Sequence, residues 1–217
     1  MTSFPRSPRL QKGAIIGLDP FNPLASVVVF QYNPAEMKRG LTVEGGAEGG
    51  IDPDALRIKK PPRESIDITV ALDATDQLEK ADPLATSLGI HPQLASLEML
   101  LYPKSAQVIT NYALQAAGMI EVVPPESWLT LFVWGIKRVV PVKLKSFSVT
   151  ETEFDPNLNP IRADVSLGMQ VLNYSDLGLV SPGGVLFMAH QITKEVMATI
   201  NSVGNIAGVA GGSLDIL

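Results

Sequence analysis

Apolar and polar residues alternate along residues 161–172 of this 217-residue chain. The apolar set is Ile161, Ala163, Val165, Leu167, Met169 and Val171, and the residues between them are Arg162, Asp164, Ser166, Gly168 and Gln170. A period of two with β-branched residues is typical of a strand with one buried face. Residues 147–154 are also strand-like, and the loop sequence DPNLNP at 155–160 joins the two runs. The pattern therefore predicts a long β-hairpin over residues 147–171.

The strand that leads into this hairpin changes phase partway along residues 139–154. Val140, Val142 and Leu144 are apolar at even positions, whereas Phe147 and Val149 are apolar at odd positions. A shift of one residue moves the following side chains to the opposite face of a sheet. We therefore expect a β-bulge or a sharp bend near Lys145 and Ser146.

The expected register of the hairpin sets apolar residues opposite one another, pairing Phe147 with Met169 and Val149 with Leu167. The same register places Glu151 and Glu153 on the apolar side. Carboxylates do not belong in a dry core, because burying an unpaired charge is costly. We therefore expect the tip of the hairpin to project beyond the body of the domain. It should lean on a neighbouring subunit, since an isolated two-stranded hairpin is only marginally stable.

The rest of the chain shows further strand and helix patterns. Strands are predicted at residues 14–18, 27–32, 65–72 and 128–134, and a helix is predicted at residues 92–101. A second helix is predicted after the sequence SPGG at 181–184, with an apolar stripe made of Val185, Ala189, Ile192 and Val196. Residues 104–118 are compatible with either a helix or a loop. Loops are expected at 40–63, which is rich in glycine and proline, and at 73–83. No heptad run is apparent, and the fold class is mainly β with a few helices.

Composition limits the classes of function that need to be considered. Residues 13–200 are expected to form one domain, between a polar arm at 1–12 and a glycine-rich tail at 201–217. Hydrophobic residues make up 46% of the chain, charged residues 18%, and the net charge is −5. Nucleic acid binding is not expected without a basic face. Direct membrane insertion is not expected either, because no apolar run approaches the roughly 20 residues that span a bilayer.

Few residues suggest catalysis or cofactor binding. His91 and His190 show no metal-ligand spacing, and both are expected at the surface. The carboxylate pairs are Asp52 with Asp54, Asp73 with Asp76, and Glu151 with Glu153; such pairs occur in glycosidases and calcium sites, but ion pairing explains them as well. Trp128 and Trp134 are expected to pack rather than to stack on a sugar. We therefore predict no enzyme activity, no metal and no cofactor.

Five short motifs are spread along the chain. They are FQYNP at 30–34 with Tyr32, Asn33 and Pro34; DPLA at 82–85; GIHPQL at 89–94 with His91 and Pro92; LFVWG at 131–135 with Trp134 and Gly135; and TETEFDPNLNPIRA at 150–163. Together these motifs resemble the tube-domain proteins of contractile injection systems, which are phage-tail-like machines. The resemblance extends over about residues 27–200, and the string from 150 to 163 is the most specific.

The resemblance implies a tube-like β-sandwich or small barrel with a packing helix, a C-terminal helix and a long hairpin that joins subunits. The implied role is a hexameric ring in the baseplate hub, between the inner tube and the spike, without enzyme activity. The intersubunit contact would use Glu151, Glu153, Phe154, Asp155, Pro156, Asn157, Leu158, Asn159, Pro160 and Arg162. Inner-tube proteins, the spike protein and baseplate wedge components would be the partners. Assembly would take place in the cytoplasm, within a particle that stays there or is released.

Three other interpretations remain open from the sequence. The first is the inner-tube protomer itself, which has the same fold and stacks in many copies. The second is a hydrolase that uses a carboxylate pair such as Glu151 and Glu153. The third is a carbohydrate-binding β-sandwich that uses Trp128 or Trp134.

Many relatives in the resembled family carry a LysM module after the tube domain, and the residues of this chain after 200 do not resemble one.

Overall fold

The computed structural model describes residues 11–18, 27–43, 60–118 and 129–209, with side chains described as far as residue 202. Its strands form one antiparallel sheet in the order β2-β1-β5-β6-β7-β4-β3. The strands are β1 Ala14–Gly17, β2 Val27–Val29, β3 Met37–Thr42, β4 Arg63–Asp73, β5 Thr130–Val133, β6 Val139–Phe154 and β7 Pro160–Val171. The helices are α1 Thr75–Glu79, α2 Pro83–Leu88, α3 His91–Glu98, α4 Ser105–Ala116, α5 Tyr174–Leu177 and α6 Pro182–Val209. The prediction of a mainly β chain with a few helices is confirmed.

The core lies against one face of this sheet. Along β4 every second side chain is buried, and β7 repeats the pattern on the neighbouring strand. The fully buried side chains here include Ile66, Val70, Val165 and Leu167. Burial of each such side chain contributes roughly 1.5–3 kcal/mol before entropic losses. The strand patterns seen in the sequence therefore correspond to β4 and β7, two neighbouring strands in the interior of the sheet.

The hairpin and its bulge are present, but the register differs from the expected one. The ladder between β6 and β7 is irregular between Leu144 and Ser146, which confirms the predicted bulge. Beyond it, Phe147 pairs with Leu167 rather than with Met169, a displacement of two residues. A shift of two keeps each side chain on its face, so the alternation survives while every partner changes.

Several segments expected to be loops are regular structure. The strand β3 occupies residues 37–42 and pairs with β4, so the expected loop at 40–63 begins later; residues 44–59 lie outside the described residues. Helices α1 and α2 fall in or overlap the stretch expected to be a loop at 73–83. Residues 104–118, left open between helix and loop, contain α4.

The C-terminal helix packs on a different face from the one predicted. Val185, Ile192 and Val196 of the predicted apolar stripe are more than half exposed, whereas His190, expected at the surface, is only 7% exposed. The helix approaches the body through Gly183 and Gly184. A Cβ at Gly184 would lie 1.9 Å from the carbonyl oxygen of Gly178, so only glycine permits this approach. The helix also continues through Val209, into the glycine-rich tail expected at residues 201–217.

Candidate assembly interface

The tip of the β6–β7 hairpin is a compact loop organised by one carboxylate. Asp155 Oδ1 accepts hydrogen bonds from the backbone N–H groups of Asn157 at 2.7 Å and Asn159 at 2.8 Å. Asp155 Oδ2 accepts from the Asn159 side-chain amide at 2.8 Å. The Asn159 amide hydrogen bond is the largest influence on the pKa of Asp155, which lies below its usual value; the nearby charge of His91 lowers it further. These bonds favour the ionised carboxylate and hold the loop in one conformation.

The base of this loop is attached to the chain's own helices, which corrects the expectation of a freely projecting tip. The Ile90 N–H donates to the carbonyl oxygen of Pro160 at 3.0 Å, and the Asn159 side-chain amide donates to the carbonyl oxygen of Ser87 at 3.2 Å. Pro160 is buried. The approach is close because Gly89 has no side chain: a Cβ there would lie 2.3 Å from the Pro160 oxygen. The hairpin is therefore held in a fixed direction.

The outer part of the tip remains uncovered. Leu158 is 78% exposed and Phe154 is 50% exposed, and Pro156 and Asn157 are exposed as well. Leu158 has a left-handed backbone with φ of 65°. A leucine in this conformation carries a steric cost that Asn or Gly would largely avoid. Two large apolar side chains thus face solvent at the end of a rigid hairpin.

An ion-pair network beside the tip of the hairpin joins β6 and β7 to the end of β4. Arg162 Nε donates to Asp73 Oδ2 at 2.9 Å, and Arg162 Nη1 donates to Glu153 Oε1 at 2.9 Å. Glu153 is 57% exposed, and Glu151 is exposed as well. The two carboxylates therefore face solvent and not the core, because β6 runs past the core beyond residue 149. A freely projecting tip was expected in order to keep these two carboxylates out of the core, and their exposure here does not require one.

The distal half of β6 is an edge among the described residues. Strand β5 pairs with β6 only at residues 139–142, whereas β7 pairs with β6 as far as Phe154. From Lys143 to Phe154, β6 thus has a described hydrogen-bonded neighbour on one side only. A long strand with one unpaired edge is a template for another strand.

The outer face of the sheet beside this edge is polar and built from small side chains. Thr69 and Ser166 hydroxyls lie 3.2 Å apart across β4 and β7, and Ser146 and Ser148 continue the surface on β6. An open groove of about 990 Å³ runs along this face. The groove is lined by these hydroxyl groups together with the charged side chains of Glu36, Lys38 and Asp67.

The other motif residues of the resemblance mainly have local structural tasks. Asn33 Oδ1 accepts from the Gly13 N–H at 2.9 Å and its amide donates to the Gln11 carbonyl at 2.8 Å. Gln31 exchanges two hydrogen bonds with the backbone of Asp73, at 2.6 and 3.0 Å. Tyr32, by contrast, is 50% exposed. Pro34 is half-buried beside them. Most of the FQYNP motif therefore ties the N-terminal strands to the end of β4.

Four further motif residues sit at turns and helix starts. Trp134 stacks on Phe132 with ring centroids 5.9 Å apart and packs against the core. Gly135 has φ of 69°, a turn conformation that favours glycine. His91 and Pro92 begin α3 and are exposed, so the surface position expected for His91 is confirmed. Trp128 lies outside the described residues, as do Asp52 and Asp54.

A buried charged cluster between the sheet and α6 was missed from the sequence. Glu64 is 6% exposed; it accepts from Arg39 Nε at 2.8 Å and from Lys194 Nζ at 3.0 Å. Burial alone would raise the pKa of Glu64, but Arg39 and Lys194 together hold it below its usual value. Glu64, Lys194 and His190 line a cavity of about 300 Å³ together with Tyr174 and Pro61. The signal of this cluster in the sequence was Glu64, a charged residue on the apolar side of the alternating strand β4.

Within the part of the chain that the structure describes, no three His, Asp or Glu side chains are grouped so that they could hold a metal ion. Among the same residues, no helix is long and apolar enough to cross a membrane. Of the acidic pairs, Asp73 binds Arg162 and Thr75, and Glu153 binds Arg162. Comparison with models of known protein families and with curated proteins gives no match for this chain. The likeness to tube-domain proteins rests on the sequence motifs named above.

Proposed function

We propose that this protein is a non-catalytic structural component of a contractile injection system. In this proposal, copies form a hexameric ring in the baseplate hub that joins the inner tube to the spike. The partners are other copies of the chain, inner-tube proteins, the spike protein and baseplate wedge components. Assembly takes place in the cytoplasm, in a phage-tail-like particle that stays there or is released.

The observation that carries the proposal is the one-sided pairing of β6 between Lys143 and Phe154 among the described residues. The hairpin that presents this edge is rigid, because Asp155 organises the tip loop and Ile90 holds the base of that loop. A pre-ordered strand adds to a neighbouring sheet with little loss of conformational entropy. A ring in which each copy covers an edge of the next leaves no edge open.

Two further features support a place inside a stacked assembly. The polar outer face of the sheet, with Thr69, Ser148 and Ser166, suits the wall of a water-filled channel. The helix α4 has no buried residue in the described part of the chain: Ile109 is 68% exposed and Tyr112 is 73% exposed. Exposed apolar patches of this kind commonly mark contacts with other proteins. These surfaces would meet the unlike neighbours above and below the ring.

Substitutions at the tip test the ring without disturbing the fold. Phe154→Thr with Leu158→Asn removes both exposed apolar side chains, and each new residue suits its backbone, since Thr favours strands and Asn tolerates positive φ. Ile136→Asn is the matched control, because Ile136 is 86% exposed in the turn between β5 and β6. Substitutions are preferable to removing residues 157–159, because Asn159 also anchors the tip to Ser87.

The readout is the molar mass of the purified full chain, measured by light scattering after size exclusion. The unmodified chain and the Ile136→Asn control should both give rings, and the double hairpin variant should give folded particles no larger than a dimer. Rings that persist in the hairpin variant would count against the proposed contact. Long stacks of rings formed by the unmodified chain alone would identify the inner-tube protomer instead.

A further inference from the structure

The helix α6 has two unlike faces. One face contacts the body: Lys194 Nζ donates to the buried Glu64 at 3.0 Å, His190 is 7% exposed, and Phe187 packs against the core. From Glu195 to Ser202 every side chain is exposed. The C-terminal half of α6 therefore leaves the body without described contacts of its own.

The opposite face carries a seam of side chains at intervals of four and three residues. The seam is Val185, Ala189, Ile192, Val196 and Thr199, and Val203 and Ile206 continue the same spacing in the sequence. Ala189 and Thr199 interrupt its apolar character, so the repeat is not apparent as a heptad run from the sequence. Within the part whose side chains are described, Val185 is 55% exposed, Ile192 54% and Val196 53%. Alternation of four and three keeps a seam on one side of a helix that winds around another helix, whereas a helix packed on a sheet needs no such repeat. Ile200, 68% exposed, lies beside the seam and widens it.

The occupant of this seam must be apolar and helical. Residues 196–214 contain no Asp, Glu, Lys or Arg, so the seam offers no charge for a partner to complement. A helix that lies on anionic lipid normally carries Lys or Arg on its polar face, and this stretch has none. Residues 196–209 of α6 in a second copy are helical and carry no charged side chain, so they have both properties that the occupant needs.

The length and exposure of α6 also favour a helical partner. A helix of 28 residues is roughly 42 Å long at 1.5 Å per residue, enough for more than three heptads. Isolated helices shorter than about 12–15 residues are marginal in water, and the stretch beyond Lys194 falls in that range. Contacts from a second helix would supply the missing stabilisation.

We propose that the α6 seam binds the α6 seam of a second copy of this chain in a left-handed coiled coil. This contact does not depend on the β6 edge or on the ring. It would join copies, or whole rings, through their C-terminal helices.

The test uses the full chain with Phe154→Thr and Leu158→Asn, in which the hairpin contact is removed. Into this background, Ile192→Glu with Val196→Glu places charge in the seam. The matched control is Ala198→Glu with Asn201→Glu, which adds the same charge to exposed positions on the opposite side of the same helix. Self-association is measured by sedimentation velocity over a range of concentrations, with circular dichroism at 222 nm on the same samples.

The hairpin variant and the Ala198→Glu/Asn201→Glu control should form dimers with similar affinity, and helicity should rise as they form. The seam variant should dimerise at least about tenfold more weakly. Equal dimerisation of the seam variant and the control would overturn the proposal, as would a monomeric hairpin variant at all concentrations. Cosedimentation of that monomer with neutral lipid vesicles, lost in the seam variant, would assign the seam to a membrane surface. Failure of the ring alone would leave the dimer intact.

Discussion

The backbone N–H of Ile90 donates a hydrogen bond to the carbonyl oxygen of Pro160 at 3.0 Å. This bond joins the turn between α2 and α3 to the first residue of β7, and so sets the direction in which the hairpin points. The neighbouring Gly89, with φ of 55°, makes the approach possible. The orientation of the proposed assembly edge thus depends on a contact between segments about 70 residues apart.

Gly89→Ala should destabilise the fold by about 3 kcal/mol. The new Cβ would meet the Pro160 oxygen at 2.3 Å, and the positive φ adds backbone strain. Urea unfolding followed by tryptophan fluorescence measures the loss. Gly178→Ala is the control, because Gly178 has φ of 78° but open space around it, and it should lose only about 1 kcal/mol. Equal losses at both positions would mean that the close approach to Pro160 has no energetic role.

The tip loop should loosen in acid. The pKa of Asp155 is lowered, chiefly by the Asn159 side-chain amide, so the folded loop binds a proton less readily than the unfolded chain. The stabilisation is complete above the ordinary aspartate pKa near 3.9 and is lost as the pH falls through the lower folded pKa. Amide chemical shifts of Asn157 and Asn159, followed by NMR from pH 6 to pH 2, should titrate with a midpoint below 3.9. A midpoint at or above that value would show that these hydrogen bonds do not persist in solution.

Glu64→Ala should cost roughly 2–3 kcal/mol of stability and release α6 from the sheet. The substitution leaves Arg39 and Lys194 without their shared carboxylate at a site where Glu64 is 6% exposed. Hydrogen exchange along α6 should accelerate together with the drop in the urea midpoint. Glu153→Ala provides the comparison, because its ion pair with Arg162 is exposed and should contribute less than about 1 kcal/mol. A Glu64 variant no weaker than the Glu153 variant would contradict a role for the cluster in holding α6.

His190 should make stability depend on pH near neutrality. Burial is the main cause that lowers its pKa, and the charges of Lys194 and Arg138 lower the pKa further, whereas Glu64 and the Lys137 carbonyl raise it. Its Nε2 has no hydrogen-bond partner among the described residues. The unfolded histidine takes up a proton near pH 6.5 and the folded one only at lower pH, so stability falls as the pH drops below about 6.5. Thermal unfolding from pH 7.5 to pH 5 should show this loss. His190→Gln should flatten the profile, and an unchanged profile would assign the pH dependence to other groups.

The sequence predicted the strands better than it predicted their partners. The alternation at Ile66–Leu72 and at residues 161–171 gave β4 and β7 directly, and the phase change gave the bulge beside Ser146. The register was wrong by two residues because the turn is shorter than assumed. Asp155 closes the loop onto Asn159, so Phe154 pairs with Pro160. An aspartate followed by two asparagines at alternate positions was the available signal for this local closure.

The pattern of apolar residues in the sequence did not predict the orientation of α6. The stripe through Val185 and Ile192 predicted the packed face, but close packing at Gly183 and Gly184 and the Lys194–Glu64 pair place that stripe in solvent. A hydrophobic stripe identifies a face that will be buried without identifying what buries it. The hydrogen bond from Ile90 that anchors the hairpin could not be predicted from the sequence either, because it joins two backbone groups and does not depend on a particular side chain.

Electron microscopy of the purified, unmodified chain, at a resolution that traces strands, tests the assembly proposal most directly. The proposal predicts closed rings of six copies in which residues 143–154 of each copy lie at a subunit boundary beside a strand of the next copy. Single copies at micromolar concentration, or rings in which this edge of β6 faces solvent, would contradict it.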